Sequence, residues 1–233
     1  MVGLLGGKMN PNVAIILLTY LNSEERKRYP AQTIQGIKTN LNYDGKLAWY
    51  VAEGFGNRQG AVELLGLLEN QRIIGWHSER MTPGANWNKA LVECYKKTDY
   101  ILMIEEDWLL PESFDITPYV QLLTDLDHVA MVRFGTLTLG MICHVQGHKG
   151  RHYLEMDHGP QYAFSGNPHL RHRRLNQAIG LYNEKISPSP GDVEIDFDHR
   201  FRQQNDLKIW RPADISGWGV FSHIGDVQSY EVD

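Results

Sequence analysis

Tyr100-Ile101-Leu102-Met103-Ile104-Glu105-Glu106-Asp107-Trp108 is the stretch that decides how this chain is read. An apolar run ends abruptly in three adjacent carboxylates. The run has the composition of a strand buried on both faces, the kind found in parallel sheets. A carboxylate at the end of such a strand must be paired or must bind a cation, because a lone buried charge is too costly to keep. In open α/β sheets, ligands bind at the carboxyl ends of the strands. By the strand period of two, Glu105 and Asp107 fall on one side, and the expectation is that they hold a divalent cation. The bland alternative is a solvated acidic turn.

Upstream, strands alternate with helices. Val13 to Thr19 is a continuous apolar, β-branched run and reads as a central strand. Pro30, Ile34, Ile37 and Leu41 mark a helix, Leu47 to Ala52 a strand ending at Glu53, and Ala61, Leu64, Leu65 and Leu68 a second helix. Arg72 to Trp76 reads as a short strand. Thr82-Pro83 opens a third helix whose apolar side carries Ala90, Leu91 and Cys94. This order predicts a three-layer α/β sheet with right-handed crossovers. Thr19-Tyr20, Glu53 and Glu105–Asp107 then lie at carboxyl ends of strands and should meet in one crevice. Tyr20-Leu21-Asn22-Ser23 follows the first strand, so the glycine fingerprint of a dinucleotide fold is missing, and no P-loop is present. Phosphates must be neutralised another way, and a metal held by the acids is the means available.

The totals fit this picture. The chain has 233 residues, 42% hydrophobic and 22% charged, enough for one sizeable core. A formal net charge of -5 gives no global attraction to nucleic acid. Arg171, Arg173 and Arg174 with His169 and His172 read as a local basic patch. Two distant cysteines, Cys94 and Cys143, suggest a reducing compartment. No apolar run is long enough to span a membrane, and the opening residues lack the features of a signal peptide. The expectation is a cytoplasmic enzyme with a flexible arm over residues 1–12, an α/β half over 13–107 and a second half of the same domain over 108–233.

In that second half, Phe114 to Leu126 reads as a helix despite Pro118, and Val129 to Phe134 as a strand. Residues 135–165 read as short strands and loops, and His169 to Tyr182 as a helix. A later helix carries Val193, Phe197 and Phe201 as an inward stripe. Glu194, Asp198 and Arg202 share another face, where Asp198 and Arg202 can pair and leave Glu194 near the helix start. Glu194 is then a helix-capping acid or a general base facing the crevice. His223 is a structural histidine or, beside an acidic site, a ligand that suits Mn²⁺.

Four segments in order resemble the GT-A glycosyltransferases, in particular the inverting, family 2-like enzymes. Val13–Glu25 is similar to their first strand and base-contacting loop. Gly84-Ala85-Asn86-Trp87-Asn88-Lys89-Ala90 is similar to their G-x-x-x-N-x-A helix. Ile104-Glu105-Glu106-Asp107 resembles their D-x-D motif, with Glu in place of the first Asp. Val193-Glu194-Ile195-Asp196-Phe197-Asp198-His199-Arg200 resembles their E-D-x-D segment, and a fifth piece, Ser222-His223-Ile224-Gly225, resembles a late His-Ile-Gly found in several metal-dependent members. Glu53 stands where the family usually has Asp.

The resemblance implies a GT-A fold with a smaller acceptor-side region. It implies a nucleotide-sugar donor, first a uridine diphosphate sugar, contacted by Thr19, Tyr20, Glu53, Asn88, Glu105 and Glu106. It implies Mn²⁺ or Mg²⁺ held by Asp107, Glu105 and His223, and Glu194 as the base, with Asp192 its rival. Trp108, Tyr162, Asn167 and Arg171 are the candidate acceptor contacts. The acceptor is a saccharide or glycoconjugate, or a hydroxylated base in nucleic acid met by the basic patch. A metal-dependent hydrolase using the histidine-rich middle and a non-catalytic nucleotide-sugar-binding protein are the readings from other classes.

Overall fold

The computed structural model describes residues 10–137, 141–156, 163–186 and 189–225. The elements in chain order are β1 (Val13–Thr19), α1 (Arg28–Asn40), β2 (Leu41–Asn42), β3 (Leu47–Glu53), α2 (Arg58–Leu67), β4 (Ile73–Ser78), α3 (Pro83–Tyr95) and β5 (Tyr100–Glu105). After the acids come β6 (Trp108–Leu109), β7 (Phe114–Asp115), α4 (Thr117–Asp125), β8 (Val129–Arg133), β9 (Cys143–His148), β10 (Arg151–Met156) and β11 (His169–His172). The described chain ends with α5 (Arg174–Ile179), α6 (Pro190–Arg202), β12 (Lys208–Pro212) and β13 (Ser222–His223).

Among the described residues one nine-stranded sheet runs through the molecule in the order β4-β3-β1-β5-β11-β8-β12-β10-β9. The first four strands in that order are parallel, with Thr19 beside Glu53 and Leu18 beside Glu105. The chain builds outward from β1 to β3 and β4, then returns across it to β5. That reversal puts a switch point at the carboxyl ends of β1 and β5, the place where an open α/β sheet leaves a crevice.

The strand period sorts side chains onto two faces. Val13, Ile15 and Leu17 of β1 join Tyr100, Leu102 and Ile104 of β5 in a core shared with α1, α2 and α4. Ala14, Ile16 and Leu18 join Ile101 and Met103 in the opposite core, shared with α3, α5 and α6. Three layers follow from this alternation. Among the described residues no helix is long and apolar enough to cross a membrane.

Two expected helices are different in the structure. His169 to Tyr182 divides into β11 and the short α5. The helical spacing of Leu170, Leu175 and Ile179 is outweighed by β11 filling the slot between β5 and β8, antiparallel to both. The helix expected from Phe114 starts only at Thr117, with Pro118 in its first turn, where a missing N–H costs nothing. Phe114 instead pairs with Leu41 as β7 against β2.

Helix α6 starts at Pro190 and buries Val193, Phe197 and Phe201. Phe197 is fully buried, stacks on Tyr182 at 4.3 Å and meets Phe164 at 4.6 Å. Replacing it by Ala should cost about 3–5 kcal/mol of unfolding free energy. Urea denaturation monitored by circular dichroism measures this.

Candidate active site

Strand β5 ends at Glu105, and Glu106 and Asp107 form a turn before β6. The strand period therefore does not extend to Asp107, yet Glu105 and Asp107 both line the crevice. The other walls are Leu18, Thr19, Tyr20, Arg26, Asn86, Trp87, Glu106, Pro190 and Glu194. The middle acid does different work. Glu106 is buried, accepts from the Tyr20 N–H at 2.7 Å and from Arg26 Nε at 3.0 Å, and forms a second, short ion-paired contact with the same guanidinium. Thr33 donates to its backbone carbonyl at 2.5 Å. Burial pushes the Glu106 carboxyl up to about 7, with Arg26 pulling the other way. Arg26 was not foreseen from the sequence. It lies in a charged loop after β1, where nothing in its spacing marks it as buried.

Asp107 is tied to the end of the described chain. β13 pairs antiparallel with β6, setting His223 opposite Trp108, and the Ile224 N–H donates to the Asp107 carbonyl at 2.8 Å. His223 Nε2 then stands 3.4 Å from Asp107 Oδ2, with its ring edge-on to Trp108 at 5.1 Å. A Cβ on Gly225 would come within 2.6 Å of the same carboxylate oxygen. The order His-Ile-Gly is thus a physical requirement of this corner: a ring beside the acid, a paired amide, then a residue with no side chain. Asp107 Oδ1 is buried with no hydrogen-bond partner among the described residues. Glu105 is raised well above its ordinary value by burial and by the nearby Asp107, Glu194 and Glu106.

Glu194 projects from the first turns of α6. The other acids of that helix are committed or turned away. Asp196 pairs with Arg200 at 2.7 Å, and Asp198 is fully buried, pairs with Arg202 at 2.8 Å and accepts from the Phe164 N–H at 2.8 Å. Asp192 is exposed and lines no part of the crevice. The Glu194 carboxyl is raised by burial, against a hydrogen bond from the Gly166 N–H and the positive charge of Arg133. A side chain on Gly166 would occupy the space of Glu194 Oε1. On its far side Glu194 lines a second cavity with Arg133, Thr136, Phe164, Ser165, Asn167, Gly191 and Ile195.

Several expected site residues lie elsewhere. Glu53 is fully buried and spends both oxygens on the N–H groups of Leu21, Phe55, Gly56 and Asn57 and on the Ser78 hydroxyl. It shapes the loops beside the crevice and is not one of its walls. Asn88 is buried too; its amide bridges the backbone N–H and carbonyl of Tyr182 and the Glu184 side chain. Its neighbour Asn86, not singled out from the sequence, is the crevice wall, and its Oδ1 accepts from His77 Nε2 at 2.6 Å.

Trp108 is core, only 6% exposed. Arg171 is a correction: it is fully buried, contacts His169, Asn176 and Tyr182, and lies over three aromatic rings. A strand register directs it into the core, so the expected basic patch does not form. Arg174 donates to the carbonyls of Leu123 and Leu126, and His169 is buried with it. Tyr162 lies outside the described residues.

No protein-family model matches the sequence, and no curated protein matches it. Solved structures do. The first 349 residues of S. aureus TarS align at TM-score 0.55 and 12% identity over 86% of this chain and 60% of that one. The mannosyltransferase PcManGT from Pyrobaculum calidifontis, in complex with GDP-Man and Mn²⁺, aligns at 0.55 and 12% over 88% and 55%. GalNAc-T7 with UDP, GalNAc and Mn²⁺ aligns at 0.59 and 8% over 90% and 45%. The fold is that of the GT-A glycosyltransferases. This chain spans less than two thirds of each of those three proteins.

Within this GT-A fold, the corner at Asp107 fits a divalent cation. It offers an orphaned buried carboxylate oxygen, an imidazole beside the other oxygen and a glycine that leaves room. Oxygen with one imidazole suits Mn²⁺. Among the described residues no three ligand-type side chains converge into a ready-made set.

Two outcomes check this site. Arg26→Ala strands the Glu106 charge in the interior and should cost about 3–5 kcal/mol, while Arg26→Ala with Glu106→Gln recovers much of it; chemical denaturation of the three variants measures both. Glu105 and Glu106 are raised on folding, so their contribution to stability is present below the ordinary carboxylate range and is lost as pH rises through the folded values, about 7 for Glu106. The melting temperature of ion-free protein should therefore fall between about pH 5 and about pH 8. Added Mn²⁺ should raise it more at the higher pH, because cation and protons compete for the same oxygens.

Proposed function

We propose that this protein is a glycosyltransferase that moves a sugar from a nucleoside-diphosphate donor to an acceptor hydroxyl with inversion. A uridine diphosphate sugar is the first donor to test. The observation that carries this reading is the position of Glu194, whose side chain is a wall of both cavities. A carboxylate between two compartments can take a proton from a group in one while that group attacks a centre in the other.

The donor would occupy the crevice at the ends of β1 and β5, against Thr19, Tyr20 and Asn86. Asp107 and His223, with Glu105 beside them, would hold Mn²⁺ or Mg²⁺, which supplies neutralisation of the charge that grows on the leaving diphosphate. Two of the similar structures carry Mn²⁺, PcManGT with GDP-Man and GalNAc-T7 with UDP and GalNAc. Glu194 accepts the acceptor hydroxyl proton as its oxygen forms a bond to the anomeric carbon and the bond from that carbon to the diphosphate oxygen breaks. Burial raises the Glu194 carboxyl, against the Gly166 N–H and the Arg133 guanidinium, which favour its charged form; a raised carboxylate is a stronger base for the acceptor proton. Orientation of base and hydroxyl across one wall also lowers the entropic part of the barrier. In the histidine-rich middle, His148 is paired with Asp125 at 3.0 Å, and His144 and His152 are exposed on the outermost hairpin.

Glu194→Gln should lower turnover by roughly 10²–10⁴-fold with little change in donor affinity. Asp107→Ala should abolish the Mn²⁺-dependent part of donor binding. Calorimetric titration with UDP-sugars, with and without Mn²⁺, beside a UDP-release assay separates these losses. Full activity in both variants, or donor binding with no turnover across a broad acceptor panel, would overturn the assignment.

A further inference from the structure

The turn from Ser216 to Gly219 presents Trp218 with 80% of its surface exposed. Its backbone is nevertheless fixed. Gly219 N–H donates to Ser216 at 2.9 Å, Leu137 N–H to Gly217 at 2.8 Å, and the Thr136 hydroxyl to the Trp218 carbonyl at 3.3 Å. Buried Arg211 donates to the carbonyls of Ile215 and Ser216. Gly219 sits at φ +88°, and a Cβ there would run into the Phe134 carbonyl. The turn is thus built for close approach to the segment after β8. A large indole on a fixed backbone, turned into solvent, adds nothing to folding and exposes apolar surface.

Thr136, which holds the Trp218 carbonyl, is also a wall of the second cavity. That cavity has a volume of about 310 Å³, and Glu194, Arg133, Ser165 and Asn167 supply its polar groups. We propose that Trp218 is the platform on which an acceptor saccharide ring lies while its hydroxyl reaches Glu194. This rests on the glycosyltransferase reading above and names the acceptor class. A pyranose offers a C–H face to an indole and hydroxyls to the polar wall around it. A nucleobase would also stack, but a nucleic acid additionally needs cations for its phosphates. The arginines that sequence order suggested for that task are spent: Arg171 is buried, Arg174 holds backbone carbonyls, and Arg173 pairs with Asp99 at 2.7 Å.

The test is saturation-transfer NMR on the full chain with UDP and Mn²⁺ present. The probes are methyl glycosides of glucose, galactose, mannose and N-acetylglucosamine, and a single-stranded oligodeoxynucleotide. At least one glycoside should receive saturation on the protons of one ring face. Trp218→Ala should bind it about tenfold more weakly or worse, and Trp218→Phe should keep an intermediate affinity. UDP affinity of Trp218→Ala, measured by calorimetry, should match the parent and so show that the fold is intact. The inference is overturned if no glycoside in the panel binds, if Trp218→Ala binds as well as the parent, or if the oligodeoxynucleotide is the probe that depends on Trp218. Absence of UDP binding in the parent, with glycosides still bound through Trp218, would instead remove the glycosyltransferase reading and leave the platform standing.

Discussion

A buried charge needs a partner, and the protein is arranged around how it meets that demand where β5 ends. Three consecutive acids emerge there from an apolar strand. Arg26 reaches in from the loop after β1 and takes the middle one, helped by the Tyr20 amide. The flanking two line the crevice, and the same guanidinium stands 3.9 Å from Asp107 Oδ2. This ion pair therefore joins the two strands that frame the switch point of the sheet, and it fixes the rim on which Thr19, Tyr20 and Asp107 sit. A buried pair of this kind adds little net stability, but losing one member is expensive. What it supplies is a defined position for each acid.

The same division of labour recurs on α6. Asp196 and Asp198 neutralise arginines four residues on, as helix geometry favours. Asp198 in addition holds the Phe164 amide, which anchors the loop that brings Gly166 against Glu194. One acid is thus kept from structural duty because its neighbours perform it. In both places a local cluster of like charges is divided between acids that hold structural partners and acids that line the crevice.

Much of the architecture was legible because it rests on periodicity. The parallel half is coded in VAIILLT, LAWYVA and YILMI, runs too apolar to be half-exposed, with helical stripes between them. The antiparallel half was less legible. β11 is four residues long and holds two histidines and an arginine, and its place is set by the empty slot between β5 and β8, a fact no local window contains. The same blindness produced the basic patch. Arg171 looks like surface in a run of Arg and His, but its strand register points it inward, among Phe164, Tyr182 and Phe197. At the site, motif spacing located the acids and Glu194. It could not tell that Glu53 and Asn88 are consumed by backbone groups, because only the fold brings those groups to them.

Asn88 ties two distant parts of the chain together. Its single amide joins α3, whose neighbouring residues Asn86 and Trp87 face the crevice, to the segment at Tyr182 ninety-four positions later. Gly84 lets the start of that helix lie against the Asn183 carbonyl, where a Cβ would come within 2.8 Å. The crevice wall and the chain at Tyr182 therefore hang on one side-chain amide, and loss of Asn88 would loosen both together.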